Sequence, residues 1–233
     1  MSKHDSLFIA PGDLATALAL LTRLPIKARF ERGAKAAWAY PLVGVVLTLL
    51  AAVPTSLALT AGLDPSFAAL IWLACSMILT GAMHEDGLAD TVDGFWGGWD
   101  ISRRLEIMKD SQIGSYGVLA LCLSFAARWM AISMILVTDH WILSLMAVAT
   151  LSRAAMPAVM CALPHARNTG LSQSQGRPSL ATAAVAALLA VALAVGILGT
   201  ASLALVIIAL GLVWTVTRIA KAKIGGQTGD ILG

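Results

Sequence analysis

The sequence predicts an all-α, polytopic integral membrane helix bundle, and three observations predict it. The chain is 58% hydrophobic and 12% charged, with a mean hydropathy of +0.83. Six apolar runs, about 38–60, 66–83, 114–137, 141–163, 180–198 and 201–217, each approach the roughly 20 residues that cross a hydrocarbon core of about 30 Å. Basic residues gather only in alternate connections between those runs. Backbone polar groups in lipid need internal partners, so the runs must be helices.

Taken in order, the start "MSKHDSLFIAPGD" lacks the apolar region and cleavage site of a signal peptide. The segment "DLATALALLTRLP", 13–25, is too short to span and ends at Pro25, which predicts an interfacial or re-entrant helix. Lys3, Arg23, Lys27, Arg29, Arg32 and Lys35 precede the first span, and Arg103, Arg104 and Lys109 separate the second from the third. Arg167 and Arg177 separate the fourth from the fifth, and Arg218, Lys221 and Lys223 follow the sixth. The opposite connections, "GLDP", "TDH" and "GT", carry no Lys or Arg, so both termini and the loops 84–113 and 164–179 are expected in the cytoplasm. The expected organisation is one membrane domain over 1–233, with an acidic cytoplasmic active-site loop at about 84–113.

The net charge of +3 is small and dispersed, which argues against nucleic acid and suits anionic membrane lipid. Cys75, Cys122 and Cys161 lie in apolar runs without metal-type spacing and read as core residues. A homo-oligomer is compatible with the sequence, which shows no internal repeat.

The stretch "HEDGLADTVDGFWGG", 84–98, places Glu85, Asp86, Asp90 and Asp93 within nine residues of a chain with few charges. On a helix, Asp86, Asp90 and Asp93 fall at about 0°, 40° and −20°, one narrow stripe. Like charges on successive turns destabilise a helix, and no Lys or Arg lies between positions 36 and 102. The pattern therefore points to a hard divalent cation, Mg²⁺, held through oxygen, with Glu85 about 100° off the stripe as the weakest ligand. Gly87 and Gly94 line the stripe, where they would admit a bulky substrate. A solvated acidic loop is the bland alternative.

Arg128 and Arg153 sit near the middle of their spans, where an arginine costs at least about 2.5–3.5 kcal/mol, so each is expected to face the bundle interior and an anion. Lys109, Asp110 and Ser111 are candidate substrate contacts, with positive-inside anchoring and an N-cap at Asp110 or Ser111 as the structural reading. The element "GGQTGD", 225–230, could curl into an anion nest around Gln227 and Thr228, with Asp230 reaching the same metal. The loop 164–179 reads as a mobile connection with His165 exposed, whereas His84, beside the acids, is a candidate for proton transfer.

These residues together resemble a family. "TRLP" at 22–25, "YPLVG" at 40–44, "HEDGLADTVDG" at 84–94, "LEIMKDSQIGSYG" at 105–117, "LSRA" at 151–154 and "GGQTGD" at 225–230 have the order and spacing of cobalamin synthase, adenosylcobinamide-GDP ribazoletransferase. Members usually continue past "GGQTGD" into a further apolar segment, whereas this chain stops at Gly233. The resemblance implies a multi-pass enzyme of the bacterial inner membrane, with its active site facing the cytoplasm, acting late in vitamin B12 assembly. A ribose hydroxyl of α-ribazole, or of its 5′-phosphate, would attack the cobinamide-side phosphorus of adenosylcobinamide-GDP and expel GMP. Mg²⁺ on Asp86, Asp90 and Asp93 would neutralise the diphosphate, Arg128, Arg153 and Lys109 would meet the departing GMP, and a carboxylate or His84 would take the proton.

Two other functions compete. A CDP-alcohol-type lipid head-group phosphotransferase also uses membrane-edge aspartates, but its motif runs D-G-x-x-A-R, and here Asp86-Gly87-Leu88-Ala89 is followed by Asp90. A divalent-cation transporter would place carboxylates within the spans, and none of the six has one.

Overall fold

A computed structural model describes residues 9–233; Lys3 and the start of the N-terminal segment lie outside the described residues. Helices follow in the order α1 (Asp13–Leu21), a 3-10 segment (Phe30–Ala39), α2 (Tyr40–Thr60), α3 (Pro65–Thr80), α4 (Met83–Gly97) and α5 (Ile101–Ile107). Then come α6 (Ser115–Leu136), α7 (Trp141–Ala162), α8 (Leu171–Gln175), α9 (Leu180–Leu198), α10 (Ser202–Ile224) and α11 (Gly229–Leu232). Among the described residues there is no β-strand, only an isolated parallel bridge between His165 and Gln227. The molecule is an all-α membrane bundle, as the apolar runs predict.

Among the described residues, four helical stretches are long and apolar enough to cross a membrane, and α3 is followed across a sharp bend by α4, a pair that counts as a fifth only if taken as one span. The last stretch, 45 residues long, breaks at Gly199, whose φ of +56° ends α9. Gln227, just past α10, hydrogen-bonds to Pro164 and Ala166, which lead toward α9. The start of α9 and the end of α10 therefore share one face, and the two helices run antiparallel.

Helix α7 is the hub, packed on α2, α9 and α10. Two helices approach this closely in lipid only where side chains are small. A Cβ on Gly44 of α2 would lie 2.6 Å from the main-chain carbonyl of Ala149 in α7. Helix α9 presents Ala183, Ala186, Ala190 and Ala194 at spacings of three and four, all buried; the last two pack on Ala147, Leu151 and Ala154 of α7. The outer faces of α6 and α10 carry exposed Leu123, Met130, Met134, Ile207, Leu210 and Trp214, which suit lipid rather than water.

Helix α1 stops at Leu21, four residues before Pro25, and packs against the 3-10 segment and α2. Its Asp13 is wholly buried and accepts from Trp38 Nε1 (2.8 Å), Ala10 N (3.0 Å) and the Arg32 guanidinium. Burial alone would raise this carboxyl, but the hydrogen bonds from Arg32, Trp38 and Ala10 outweigh it and hold the group below the usual aspartate range.

The acidic stretch is helical, the conformation on which its carboxylates form a stripe. Gly81 (φ +66°) and Ala82 (φ +56°) are both left-handed, so the helix of α3 ends and restarts at Met83, turned by 85°. Positive φ on an alanine is uncommon and marks a place where the surroundings impose the backbone. The 84–113 region is thus α4 and α5, laid off the direction of α3.

Asp93, expected on the metal stripe, is instead a cap for another helix. Its two carboxylate oxygens accept from Gly114 N (2.7 Å) and Gly117 N (2.9 Å), the first free amides of α6. Any side chain at Gly117 would collide with that carboxylate. The expected cap at Asp110 or Ser111 fails because α6 begins only at Ser115; Asp110 turns locally and accepts from Gln112 N at 3.2 Å. Asp93→Ala is expected to destabilise detergent-purified protein by about 1–3 kcal/mol, because two buried amides lose their acceptor. Asp86→Ala should leave unfolding within about 0.5 kcal/mol. Equal losses in both variants would contradict the capping role.

Candidate active site

The carboxylates of α4 meet different environments. Asp86 is exposed, Asp90 half-buried and Asp93 buried against α6. Glu85 turns the other way and pairs with Arg128 Nη1 at 2.8 Å. Asp230 of α11 pairs with Arg167 Nη2 at 2.7 Å and accepts from Thr228 Oγ1 at 3.1 Å. Of the five residues expected to ligate a metal, Asp93 and Glu85 are thus committed elsewhere, one to amide donors and one to an arginine. Asp86 and Asp90 have no hydrogen bond or ion pair among the described residues, and Asp230 lies close enough to both to act on them electrostatically.

That repulsion is visible in Asp90. Burial, then the charges of Asp86, Asp230 and Asp93, push its pKa up to about 6, against the opposing Arg167. Burial likewise raises Asp230, against Arg167 and Thr228. Among the described residues no three His, Cys, Asp or Glu side chains stand together as a ready-made cage. Two uncompensated carboxylates one helical turn apart nevertheless fit Mg²⁺, which is commonly held by one or two carboxylates plus substrate phosphate. The donor set is all oxygen, and its excess negative charge is what a divalent cation would relieve.

The glycines beside the stripe serve the chain itself rather than a substrate. A Cβ on Gly87 would lie 2.6 Å from the main-chain oxygen of Asp230, so Gly87 lets α11 settle on α4. Gly94 does the same for Met108 and Arg104 of the α5 region. The end of α4 is fixed by Arg104, whose guanidinium donates to the carbonyls of Gly98 (3.0 Å) and Lys223 (2.8 Å), and by Lys223 Nζ on the Phe95 carbonyl (3.0 Å).

A second junction holds Asp230 and Arg167 in place. Gln227 N donates to the Pro164 carbonyl (2.8 Å), and Ala166 N donates back to Gln227 (2.9 Å). The Gln227 side chain is almost fully buried, with Nε2 3.0 Å from His165 Nδ1, while Ser172 Oγ donates to its Oε1. Burial and the nearby charge of Arg177 hold His165 below the usual imidazole range, which suits a neutral ring accepting from Gln227. The 164–179 connection is therefore a structured clasp and His165 is half-buried, contrary to the exposed, mobile segment expected. Gln227 and Thr228 are buried scaffold, and at least the Gln227 amide is taken up by Pro164 rather than left for an anion.

On its other side α4 borders a cavity of about 450 Å³ among α2, α3, α6 and α7. His84, Glu85, Arg128 and Arg153 form its polar end; Trp72, Leu73, Ile132 and Leu145 are among its apolar walls. His84 Nδ1 lies 3.1 Å from the Gly233 carbonyl oxygen, and its Nε2 has no hydrogen-bond partner among the described residues. Both arginines expected to face the interior do so. Lys109, Asp110 and Ser111 are exposed on the α5–α6 connection and line none of this. The residues that sequence reasoning missed are Arg167, Ser172, Gly114 and Gly117; each acts across more than 20 residues of chain, or through a main-chain amide, and leaves no local pattern.

Comparison with known proteins agrees with the sequence motifs. Residues 13–233 match the family model described as cobalamin-5-phosphate synthase. A Bradyrhizobium diazoefficiens protein named adenosylcobinamide-GDP ribazoletransferase is 44% identical over 95% of this chain and 87% of its own length. Relatives of the same name from Mesorhizobium japonicum and Sinorhizobium medicae are each 40% identical over 95% of this chain, covering 86% and 90% of their own lengths. No solved structure matches. With the match running through α4, the clasp and the arginine-bearing helices alike, the chain belongs to the cobalamin-5-phosphate synthase family.

Proposed function

We propose that this chain is a Mg²⁺-dependent transferase that joins α-ribazole, or its 5′-phosphate, to adenosylcobinamide-GDP and releases GMP. The observation that carries the reading is the uncompensated pair Asp86 and Asp90 on α4, a helix whose other side borders an arginine-bearing cavity, in a chain of this family. A ribose hydroxyl oxygen attacks the cobinamide-side phosphorus, the bond from that phosphorus to the GMP oxygen breaks, and the hydroxyl proton passes to a base.

Asp86 and Asp90 would hold the ion, with Asp230 adding negative charge nearby. Bound there, Mg²⁺ supplies charge neutralisation to the diphosphate and to the departing phosphate. Arg128 and Arg153 offer planar donor forks to phosphate oxygens. His84 suits the base: with Nδ1–H donated to the Gly233 carbonyl, Nε2 keeps its lone pair on a residue that lines the cavity. Lys109, Asp110 and Ser111 touch none of these groups, and no role is proposed for them.

The alternation of basic residues supports six spans in the bacterial inner membrane, with both termini and α4 on the cytoplasmic side. Single cysteines placed at positions 90 and 170, in a chain otherwise free of cysteine, should react only with reagent admitted to the cytoplasmic side. Labelling from outside would overturn the orientation.

Purified protein given adenosylcobinamide-GDP, α-ribazole and Mg²⁺ should release GMP and yield a cobalamin identified by mass. Asp86→Asn and Asp90→Asn are each expected to cut that turnover by roughly 10²–10³, the range seen when one electrostatic contact to developing charge is lost. Retained turnover in both would refute the ligand assignment. Because Asp90 has a raised pKa in the fold, its contribution to stability is full in acid and lost as pH rises through about 6. Metal-free protein should therefore melt higher at pH 5 than at pH 7.5, Mg²⁺ should restore the loss at pH 7.5, and Asp90→Asn should remove both effects.

A further inference from the structure

The face of α4 that carries Asp86 and Asp90 has an arginine of its own. Arg128 and Arg153 belong to the cavity on the other side of the helix, with Glu85. Arg167 comes instead from the clasp, and three observations set it at the acidic rim. Its Nη2 donates to Asp230 Oδ2 at 2.7 Å. Asp230 in turn rests so closely on α4 that a Cβ on Gly87, next to Asp86, would lie 2.6 Å from its main-chain oxygen. Arg167 is also the cation whose charge opposes the carboxylates around Asp90.

The surrounding chain holds this arginine firmly. The bonds from Ala166 N to the Gln227 carbonyl (2.9 Å) and from Gln227 N to the Pro164 carbonyl (2.8 Å) fix its backbone. Gly170, at a φ of +104°, passes close by, and a Cβ there would lie 3.6 Å from Arg167 Nε. The side chain is 16% exposed, yet its Nη1 has no acceptor among the described residues. Buried donors are rarely left so, and one beside a cluster of carboxylates meant for a cation and an anion has an evident use. A planar fork can keep one arm on a carboxylate while another takes a phosphate oxygen.

We propose that Arg167 is a diphosphate contact of the transfer: it donates through Nη1 to a phosphate oxygen of the nucleoside diphosphate at the Asp86–Asp90 face and steadies the charge that grows as GMP departs. The proposal rests on the transferase reading above and adds to it a catalytic residue. Nη1 is covered, so the guanidinium turns about its stem to present it. The pairing with Asp230 keeps that turn small, because it ties the other arm to a residue seated on α4.

The test uses the detergent-purified full chain with Mg²⁺, adenosylcobinamide-GDP and α-ribazole. Arg167→Lys keeps a cation for Asp230 but loses the fork, and should lower kcat for GMP release roughly 10–100-fold. Arg167→Ala should lower it further, with part of the loss restored by added guanidinium ion. Equilibrium dialysis of GDP against Mg²⁺-loaded protein, without any nucleophile, should show weaker binding in both variants. The count of bound Mn²⁺, the KM for α-ribazole and the melting temperature should stay as in wild type; if Arg167→Ala melts early, Arg167→Lys carries the test. A role confined to holding Asp230 predicts another pattern, in which Arg167→Lys behaves as wild type while Arg167→Ala and Asp230→Asn lose Mn²⁺ alike. That pattern, unchanged kcat and GDP binding in both variants, or a loss confined to the KM of α-ribazole would each overturn the assignment. Absence of GMP release in wild type would instead be a failure of the transferase reading itself, and GDP dialysis would still decide the arginine's contact.

Discussion

Four negative charges on one short helix must each be compensated, and the way α4 meets that constraint organises the rest of the structure. Glu85 takes an arginine from α6, and Asp93 takes the amides that begin α6. Together these fasten α6 to α4 at two levels along the helix. Asp86 and Asp90 are left without such partners, and Asp230 is brought up beside them already paired to Arg167. Two paired charges thus hold the scaffold while two unpaired ones define the reactive rim. A folded helix that keeps such a pair gives up stability unless a cation arrives.

The position of α4 depends in turn on a break that neighbouring chain holds in place. Two consecutive left-handed residues, Gly81 and Ala82, turn the chain by 85° between α3 and α4. Neighbours hold the turn: Arg23 packs on Gly81, and its amide donates to the Leu79 carbonyl at 2.7 Å. Behind it, α7 is clasped by α2 through Gly44 and by the alanine stripe of α9, which makes a close-packed wall. The cavity lies in front of that wall, so Arg153 stands on a helix whose backbone has little room to move. The GGQT segment and the 164–172 segment lock onto each other and fix Arg167 and Asp230 over Gly87 from the opposite side.

How much of this could be read from the sequence divides by range. Hydropathy located the helices to within a few residues, except that α10 runs to Ile224 because its last two turns are basic rather than apolar. The depth of Arg128 and Arg153 announced that they face inward, since lipid would not tolerate them elsewhere. Helical spacing grouped Asp86 with Asp90, but it also grouped Asp93, and nothing local distinguishes a metal ligand from an acceptor of distant amides. The signal lay in "DSQIGSYG": an α6 without its own capping side chain, and glycines at 114 and 117 that leave room for one from elsewhere. The glycines of the acidic motif carried the same message, space kept for another part of the chain. His165 and Gln227 were opaque because their partners lie about 60 residues away.

The division of labour along α4 is open to one direct measurement. Mn²⁺ can stand in for Mg²⁺, and its electron paramagnetic resonance counts bound ions on detergent-purified protein without any substrate turnover. Binding should be lost in Asp86→Asn and Asp90→Asn and should persist in Asp93→Asn and Glu85→Gln. Loss in the last two, with retention in the first two, would contradict the assignment of structural and reactive charges.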